Sequence, residues 1–348
     1  MRPPHRALFV ANDGLGAGHV TRSLAVAHEL TAWMATHETP FSWLLATTSE
    51  ADALLRTSPG ATVRLPSPGA ARRQGLGRAD YRRLQQSTLR GVIDGFRPDL
   101  LVVDTFPSGP HLELDGLLDR VPRRALLQRT VAPSTWTSPE MTTGRAHFQV
   151  TLAPADPTPQ PGPARTARVI EPIVLGGPQL DRAAARRTLG LDEYTPAAVV
   201  IPGGGGDTDA FDDAARLVAS LRRRGLTTLL AAGPLAHTHP EQNRLGPLWP
   251  VFLAFDRAVA MAGYNTAHEL AASGVKAALW GRPRPFDDQL ARARRFDDAG
   301  LAVALDDLAD DALDHALARL DAMPPPRLSC RGAAQAADVL GRWLVEES

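Results

Sequence analysis

The sequence is almost without cysteine, the residue that forms disulfides and binds many structural metals. Cys330 is the only cysteine among 348 residues, so neither a disulfide within the chain nor a cysteine-based metal cluster can form. The His, Asp and Glu residues show no metal-ligand spacing, and His237 and His239 stand in a proline-flanked loop typical of a surface. We therefore predict a protein of the reducing cytoplasm that needs no metal and no cofactor.

A net charge and a long apolar run are also missing. Lysine and arginine together number 38, as do aspartate and glutamate, which leaves no overall field that would hold DNA or RNA. No apolar run approaches the roughly 18 residues of a membrane span, and the opening run, Ala7 to Ala11, is too short for the core of a signal peptide. We expect no nucleic-acid partner and at most a peripheral membrane contact.

The sequence does contain a regular alternation of short apolar runs and helix-period segments, which is typical of parallel sheets covered by helices. A first set of runs predicts strands at Ala7–Ala11, Trp43–Thr47, Thr62–Leu65, Leu100–Asp104, Ala125–Gln128 and Gln149–Leu152. A second set predicts strands at Ala198–Ile201, Thr227–Ala231, Val251–Leu253, Ala258–Met261, Ala277–Trp280 and Ala302–Leu305. The pattern predicts an α/β fold with two Rossmann-like, doubly wound parallel sheets.

The boundary between the two predicted domains lies near Gly177. Residues 154–163 are rich in proline and cannot continue a helix or an interior strand, whereas Val169–Leu175 predicts a strand that ends at a pair of glycines. Because the chain exceeds the usual size of one hydrophobic core, we assign residues 1–175 to an N-terminal domain and residues 176–330 to a C-terminal domain. A last helix within residues 331–348 is long enough to return and pack on the N-terminal domain.

A glycine-rich run follows the first predicted strand and opens a helix predicted from Val20 to Leu30. Gly16 and Gly18 allow the backbone N–H groups at a helix start to approach an anionic ligand closely. A dinucleotide-binding fingerprint would have glycine at position 19 and an acidic residue at the end of the second strand, and this sequence has neither. The run therefore favours an anion-binding turn other than a nicotinamide site.

His19 ends this run and is a candidate general base, since histidine exchanges protons near neutral pH. Asp13 is a second candidate for the same role. The alternative that His19 only caps or packs against the loop stays open. Arg22, one helical turn further on, is expected to be solvated or to cap the helix.

A second glycine run comprises Gly203, Gly204, Gly205 and Gly206, and it follows the predicted strand that ends at Ile201. It lacks the Lys-Ser/Thr pair of a phosphate-binding Walker loop, yet a turn without side chains allows the backbone to approach a phosphate or a sugar. A tight turn between a strand and a helix explains one or two glycines but not a run of this length. We interpret the run as part of a ligand site.

Gly263 marks a third turn from strand to helix. The first helical turn after it carries no acidic side chain, so its N–H groups are available to a diphosphate. Glu269 follows nearly two turns later, where a carboxylate can accept hydrogen bonds from two vicinal ribose hydroxyls, although a solvated helix face is the alternative. A fourth loop leads into a helix with Asp287 and Asp288 at its start, where they can cap the helix or bind sugar hydroxyls.

The segment from Ala260 to Leu305, together with the GLGAGH run that ends at His19, resembles the MurG-type glycosyltransferases of the GT-B class. It is most similar to predicted bacterial glycosyltransferases that share their nucleotide-sugar-binding C-terminal domain. The resemblance implies two Rossmann-like domains that face a central cleft. The chain departs from MurG in its first glycine run, where MurG has Gly-Gly-Thr-Gly-Gly-His, and the rest of the acceptor region is not recognisable. The muramyl-lipid acceptor of MurG is therefore not implied.

The resemblance also implies roles for individual residues. It places His19 against the reacting centre and Glu269 on the donor ribose. It also places uracil near the backbone of Phe252 or Leu253. The residues implied at the donor diphosphate are Gly263, Tyr264, Asn265 and Thr266, and those implied at the donor sugar are Asp288 and Gln289.

These observations lead to a functional hypothesis: transfer of a sugar from a nucleotide sugar, UDP-sugar being favoured, to a small-molecule or lipid-linked acceptor. The transfer is expected to invert the anomeric carbon and to need no metal. A nucleotide-sugar hydrolase with the same histidine loop is an alternative, as is an inactive subunit that only binds the donor. A sugar-nucleotide epimerase is a further, weaker alternative.

Overall fold

The computed structural model describes residues 3–12, 17–56, 58–131, 133–157, 167–204, 209–231, 233, 247–284 and 286–346. The chain divides into two compact units. The first unit comprises Met1–Asp156, Gln160–Leu175 and Arg331–Ser348, and the second comprises Gly176–Cys330 together with Pro157–Pro159. Among the described residues, no helix combines the length and apolarity that crossing a membrane requires.

The strands, in chain order, are β1 (His5–Ala11), β2 (Phe41–Thr47), β3 (Ala61–Arg64), β4 (Leu100–Asp104), β5 (Arg123–Leu127), β6 (Val150–Pro154), β7 (Arg168–Ile170), β8 (Ala197–Ile201), β9 (Thr227–Leu230), β10 (Arg257–Met261), β11 (Lys276–Trp280) and β12 (Val303–Leu305). The helices are α1 (Gly18–Thr36), α2 (Asp52–Arg56), α3 (Pro68–Arg73), α4 (Arg78–Phe96), α5 (Pro133–Trp136), α6 (Pro139–Arg145), α7 (Arg182–Leu189), α8 (Asp209–Arg223), α9 (Tyr264–Ala272), α10 (Gln289–Asp298), α11 (Asp310–Ala322) and α12 (Gly332–Glu346). Two short 3₁₀ helices lie at Leu118–Arg120 and Trp249–Ala254.

The sheet of the first unit has seven parallel strands in the order β3-β2-β1-β4-β5-β6-β7. Its central strands are continuous apolar runs buried on both faces, as the parallel pattern requires. Strands β1 and β4 are direct neighbours, with Val10 opposite Val103. Because all strands run in one direction, the residues that follow β1 and β4 meet at the same edge of the sheet. The turns at this carboxyl edge carry the polar residues of the candidate site.

Helix α12 packs against α1 within the first unit. Gly341 lies against the Trp33 ring so closely that a Cβ atom would overlap with the indole, and Trp33 Nε1 donates a hydrogen bond of 3.3 Å to Asp338. At the start of α12, the backbone N–H of Gly332 donates to Pro172 over 3.1 Å. The small residues of α12 therefore allow close contact between the two helices.

The sheet of the second unit has five parallel strands in the order β12-β11-β10-β8-β9, with β10 at its centre. Successive residues of each strand pack into two different cores. Val199 and Ala260 belong to the core that includes residues of α9 and α10, whereas Val200 and Met261 belong to the core that includes residues of α8 and α11. Helices thus cover both faces, and the unit is doubly wound.

The strand predicted at Val251–Leu253 is wrong, because these residues lie in the 3₁₀ helix Trp249–Ala254. Pro250 lacks the N–H group that a ladder of strands needs, and it is instead the second residue of this tighter helix. Phe252 and Val251 are apolar because they pack into the core of the second unit, not because they belong to its sheet. The strand predicted at Val169–Leu175 is shorter than expected, since β7 ends at Ile170.

Candidate functional site

His19 and Asp104 form a hydrogen-bonded pair at the carboxyl edge of the first sheet. His19 is the second residue of α1, and Asp104 is the last residue of β4. His19 Nδ1 lies 2.8 Å from Asp104 Oδ2, with 15% of the histidine side chain exposed and none of the aspartate side chain. An ionised carboxylate only accepts hydrogen bonds, so Nδ1 carries the proton and Nε2 is the nitrogen that can take another. The carboxylate thus fixes the orientation and the tautomer of the imidazole.

Arg22 lies one helical turn after His19 and binds the same carboxylate. Its Nη2 atom is 2.6 Å from Asp104 Oδ2, and its Nε atom donates to Oδ1 over 3.3 Å. Burial alone would raise the pKa of Asp104, but Arg22 and His19 outweigh burial and lower that pKa to about 2. Asp104 is therefore ionised at any pH near neutrality. The expectation that Arg22 is solvated or caps the helix is wrong, since its side chain is only 2% exposed and ion-paired.

The backbone turns sharply after Asp104. Thr105 has a φ angle of 67°, in the left-handed region that a β-branched residue rarely adopts. The turn carries Phe106 beside His19, with ring centroids 5.8 Å apart. The next two residues, Pro107 and Ser108, pack closely against Gly144 of α6. Surrounding contacts thus hold a strained turn next to the histidine.

A buried carboxylate supports the beginning of the first glycine run. Glu113 is fully buried and accepts hydrogen bonds from the Asn12 side-chain amide and, over 2.8 Å, from the backbone N–H of His111. Burial raises the pKa of Glu113, and the two hydrogen bonds act in the opposite direction. Asn12 directly follows β1, so Glu113 ties this end of the strand to the loop after β4.

Neither Asp104 nor Glu113 was predicted as a site residue from the sequence. The sequence marks Asp104 only as the end of a predicted strand, although an acidic residue that closes a wholly apolar run indicates a side chain at the edge of the sheet. Of the other residues predicted here, Gly18 begins α1, with the Arg22 guanidinium beside it. Asp13 and Gly16 lie outside the described residues, as do His237 and His239.

In the second unit, α9 begins at Tyr264, directly after its cap residue Gly263. Gly263 occupies the cap position with extended backbone angles, no side chain caps the helix, and its first turn holds no acidic residue. Tyr264, Asn265 and Thr266 form that turn, which lies at the positive end of the helix dipole. Such an end is suited to a phosphate group.

Glu269 lies further along α9. Its side chain is partly exposed, and its carboxylate makes no hydrogen bond or ion pair with any residue that the structure describes. Burial raises the pKa of Glu269 to about 7. The raised pKa, together with the lack of a partner in the described part of the chain, distinguishes Glu269 from the carboxylate of a fully solvated helix face.

Polar residues of the loop between β11 and α10 form hydrogen bonds and an ion pair with residues at the start of α10. Asp288 Oδ1 accepts a hydrogen bond of 2.9 Å from Ala291 N and so caps α10. The buried Gln289 accepts from Arg282 N over 3.1 Å. Asp287 pairs with Arg292, a side chain that is 1% exposed. Asp288 therefore caps α10, which is one of the two roles expected for it.

The second glycine run is packed from two sides. Gly203 has a φ angle of 90°, and a Cβ atom there would overlap with the methyl group of Met261. Gly233 lies against the backbone of Gly203 and Gly204. Gly205 and Gly206 lie outside the described residues. Leu253, predicted near the base of the donor, lies in the 3₁₀ helix before β10.

Comparison with known proteins identifies the fold of the chain. No protein-family model matches the chain, and no curated protein matches its sequence. A glycotransferase of kitacinnamycin has 17% sequence identity and a TM-score of 0.66, covering 98% of this chain and 100% of its own. The spinosyn rhamnosyltransferase SpnG complexed with thymidine diphosphate has 18% identity and a TM-score of 0.57, covering 98% of this chain and 96% of its own. UDP-GlcNAc 2-epimerase from Neisseria meningitidis, bound to UDP-GlcNAc, has 11% identity and a TM-score of 0.61, covering 98% of this chain and 100% of its own. The chain has the GT-B fold, with one doubly wound parallel sheet of seven strands and another of five.

Proposed function

We propose that the protein is a glycosyltransferase that moves a sugar from a nucleotide sugar to the hydroxyl group of an acceptor. The observation that carries the proposal is the pair of His19 and Asp104, in which the carboxylate holds the imidazole by Nδ1 and leaves Nε2 as the base. The amide end of α9 supplies the complementary function, a place for the donor diphosphate. Similarity in fold to glycosyltransferases supports the same activity.

The proposed reaction is a single displacement. The acceptor oxygen attacks the anomeric carbon of the donor while His19 Nε2 takes the proton of the acceptor hydroxyl. The bond from the anomeric carbon to the diphosphate breaks, and its electron pair stays on the diphosphate oxygen. Asp104 remains ionised and stabilises the imidazolium. One displacement inverts the anomeric carbon, and the α9 end stabilises the leaving group without an obligatory metal.

The nucleotide and the acceptor are proposed from the resemblance in sequence and from similarity in fold. The resemblance to MurG-type enzymes favours a UDP-sugar, with Glu269 on the ribose and Asp288 and Gln289 near the sugar. SpnG, which is similar in fold, is described with thymidine diphosphate and with spinosyn aglycone, which adds a thymidine-diphosphate sugar and a small-molecule acceptor to the candidates. We favour a small molecule over a lipid-linked acceptor.

Two other enzymatic outcomes use the same site. A hydrolase would place water where the acceptor hydroxyl belongs and release free sugar with no acceptor present. An epimerase is supported by the similarity in fold to UDP-GlcNAc 2-epimerase and would return an isomerised donor. The intact pair of His19 and Asp104 argues against an inactive subunit that only binds the donor.

Thermal unfolding of the purified protein with UDP, TDP, GDP and their sugars tests the proposal first. A ligand present at about 100 times its Kd stabilises the fold by about 2.7 kcal/mol, which raises Tm measurably. We then expect His19→Ala to slow nucleoside-diphosphate release by about 10²- to 10⁴-fold while leaving donor affinity unchanged. If no nucleoside diphosphate raises Tm, the proposed function is wrong; if His19→Ala turns over at the wild-type rate, His19 is not the base.

A further inference from the structure

Six arginines lie on α3 and α4 of the first unit, and they fall into two groups. The three that are balanced by carboxylates are Arg73 with Glu50, Arg82 with Asp115 and Arg83 with Asp80. The three whose side chains form no hydrogen bond or ion pair with any residue that the structure describes are Arg72, Arg78 and Arg90. Arg72 and Arg78 are both exposed and flank the turn that joins the two helices.

His111 is the residue on which the charges of Arg72 and Arg78 converge. It lies in the loop after β4, is partly buried, and packs its ring edge-on against the Tyr81 ring of α4, with centroids 5.1 Å apart. Burial lowers the pKa of the His111 imidazole, and the positive charges of Arg78 and Arg72 lower it further. The imidazole is therefore neutral near pH 7, with two cations close enough to oppose its protonation.

Tyr81 and Glu113 hold His111 in place and leave its ring nitrogens available. The Tyr81 hydroxyl donates a hydrogen bond of 2.8 Å to the carbonyl oxygen of Pro66. One oxygen of the fully buried Glu113 accepts a bond of 2.8 Å from the backbone N–H of His111, and the other accepts from Asn12. Neither ring nitrogen of His111 forms a hydrogen bond with a residue in the described part of the chain. The histidine is thus fixed by its ring face and its backbone, and its polar edge is open to a ligand.

The loop that carries His111 is also the loop that borders the candidate site. It starts after Asp104 and places Phe106 beside His19. Leu112, next to His111, has a φ angle of 59°, in the left-handed region that a bulky side chain rarely adopts. Strain of this kind persists only where surrounding contacts hold it, and it clusters at ligand sites. One strained loop of the first unit therefore joins the surroundings of both histidines.

We propose that Arg72, Arg78 and His111 bind an anion, namely a carboxylate or phosphate group that the acceptor carries. The identity of this ligand as the acceptor rests on the proposed function, whereas the anion site itself does not. Each guanidinium presents paired donors that match two oxygens of such a group, and its charge does not depend on pH. The anion supplies the counter-charge that the described part of the chain does not provide, and it favours the protonated imidazole, which then donates as well.

The protonation of His111 in the full chain, followed by NMR, tests the anion site. The histidine signals are titrated with pH at equal ionic strength, with and without inorganic sulfate, whose charge is constant over this range. His111→Gln identifies the signal. We expect saturating sulfate to raise the pKa of His111 by about 1, because an anion stabilises the imidazolium. In Arg72→Gln/Arg78→Gln the pKa of His111 should rise without sulfate, since two repelling charges are gone, and sulfate should bind at least about tenfold more weakly.

A matched variant removes the same number of charges from the same two helices. Arg73 and Arg83 lie on α3 and α4, as Arg72 and Arg78 do, but each of them pairs with a carboxylate. Because a paired charge adds little to the field at His111, Arg73→Gln/Arg83→Gln should keep the pKa of His111 and the affinity for sulfate close to wild type. Urea unfolding of each variant shows whether the fold is intact, and titration with UDP and TDP shows whether donor binding is unchanged.

The outcomes separate the anion site from the proposed function. If sulfate up to about 100 mM, enough to fill a millimolar site, leaves the pKa of His111 unchanged, the inference is wrong and the proposed function stands. The same holds if the matched variant loses as much affinity for sulfate as Arg72→Gln/Arg78→Gln. If UDP or TDP raises the pKa of His111 as sulfate does, the site belongs to the donor and its assignment to the acceptor is wrong.

Two further results are decisive. If sulfate binds as expected but wild type binds no nucleoside diphosphate, the anion site stands and the proposed function fails, together with the assignment to the acceptor. Phosphatidylglycerol vesicles are the probe for a lipid surface. If wild type binds them, Arg72→Gln/Arg78→Gln does not, and sulfate has no effect on His111, the cluster contacts a lipid surface and the inference is overturned.

Discussion

Replacement of Asp104 by asparagine keeps the size of the side chain and removes its charge, and so isolates what the charge contributes. His19 Nδ1 and Arg22 Nη2 lie 2.8 Å and 2.6 Å from the same oxygen, Oδ2. An amide oxygen in that position can still accept from both donors, so the tautomer of His19 is kept. When His19 takes a proton, however, the imidazolium faces Arg22, whose Nη2 atom lies 3.5 Å from Nδ1, without a carboxylate between them.

The magnitude follows from these distances. At an effective dielectric constant of about 20, the attraction between imidazolium and carboxylate is about 6 kcal/mol and the repulsion from Arg22 is about 5 kcal/mol. The charge in Asp104 therefore lowers the barrier of the base-assisted step by about 6 kcal/mol, and Asp104→Asn should lower kcat by about 10⁴-fold. In the double variant Arg22→Met/Asp104→Asn both terms vanish, and the loss should shrink to about tenfold.

Stability should move in parallel. Asp104→Asn leaves the buried guanidinium of Arg22 without a counter-charge, which costs about 3–5 kcal/mol in the free energy of unfolding, and the double variant should recover most of that loss. Urea unfolding measures the free energy of unfolding of each variant. The rate at which nucleoside diphosphate is released measures kcat, with the donor that thermal unfolding identifies. If the double variant releases nucleoside diphosphate as slowly as Asp104→Asn, the electrostatic account of this site is refuted.

Three further changes test other parts of the structure. Between pH 8 and pH 6, affinity for UDP should fall about tenfold more in wild type than in Glu269→Gln. Burial raises the pKa of Glu269 to about 7, and only the ionised carboxylate accepts hydrogen bonds from both ribose hydroxyls. Equal pH dependence of the two proteins in binding titrations would contradict this. Gly332→Ala should destabilise the protein by about 2–3 kcal/mol in urea, because its Cβ atom would overlap with the carbonyl oxygen of Glu171; wild-type stability would show that α12 can shift. Phe296→Ala should lower the free energy of unfolding by about 3–5 kcal/mol, because Phe296 is fully buried. Phe286 is half-exposed, so Phe286→Ala is the control and should change stability little.

Most of the architecture follows from local patterns in the sequence. The alternation of short apolar runs with helix-period segments predicts two doubly wound sheets, and both are present. The exception, Val251–Leu253, shows the limit of such patterns. A short apolar run next to Pro250 has the composition of a buried strand, but only packing decides whether it pairs in the sheet or forms a turn of helix.

Part of the candidate site also follows from local sequence, and part depends on packing. The first glycine run predicts a turn between a strand and a helix with His19 at its end, because glycine and helix starts are local features. The partner of His19 is 85 positions further along the chain, and no spacing in the sequence connects Asp104 to it. The connection exists because β1 and β4 are neighbours in the sheet, so their carboxyl ends meet.

The sequence alone determined where the chain turns, where glycine allows a close approach of backbone, and which runs are buried, since these depend on residues near one another in the chain. Only the tertiary structure decided which charges are paired. Arg22 has the sequence surroundings of a solvated helix residue, yet it is buried against Asp104. Burial of a charge becomes tolerable only when an opposite charge arrives from another strand, and that depends on the order of strands in the sheet.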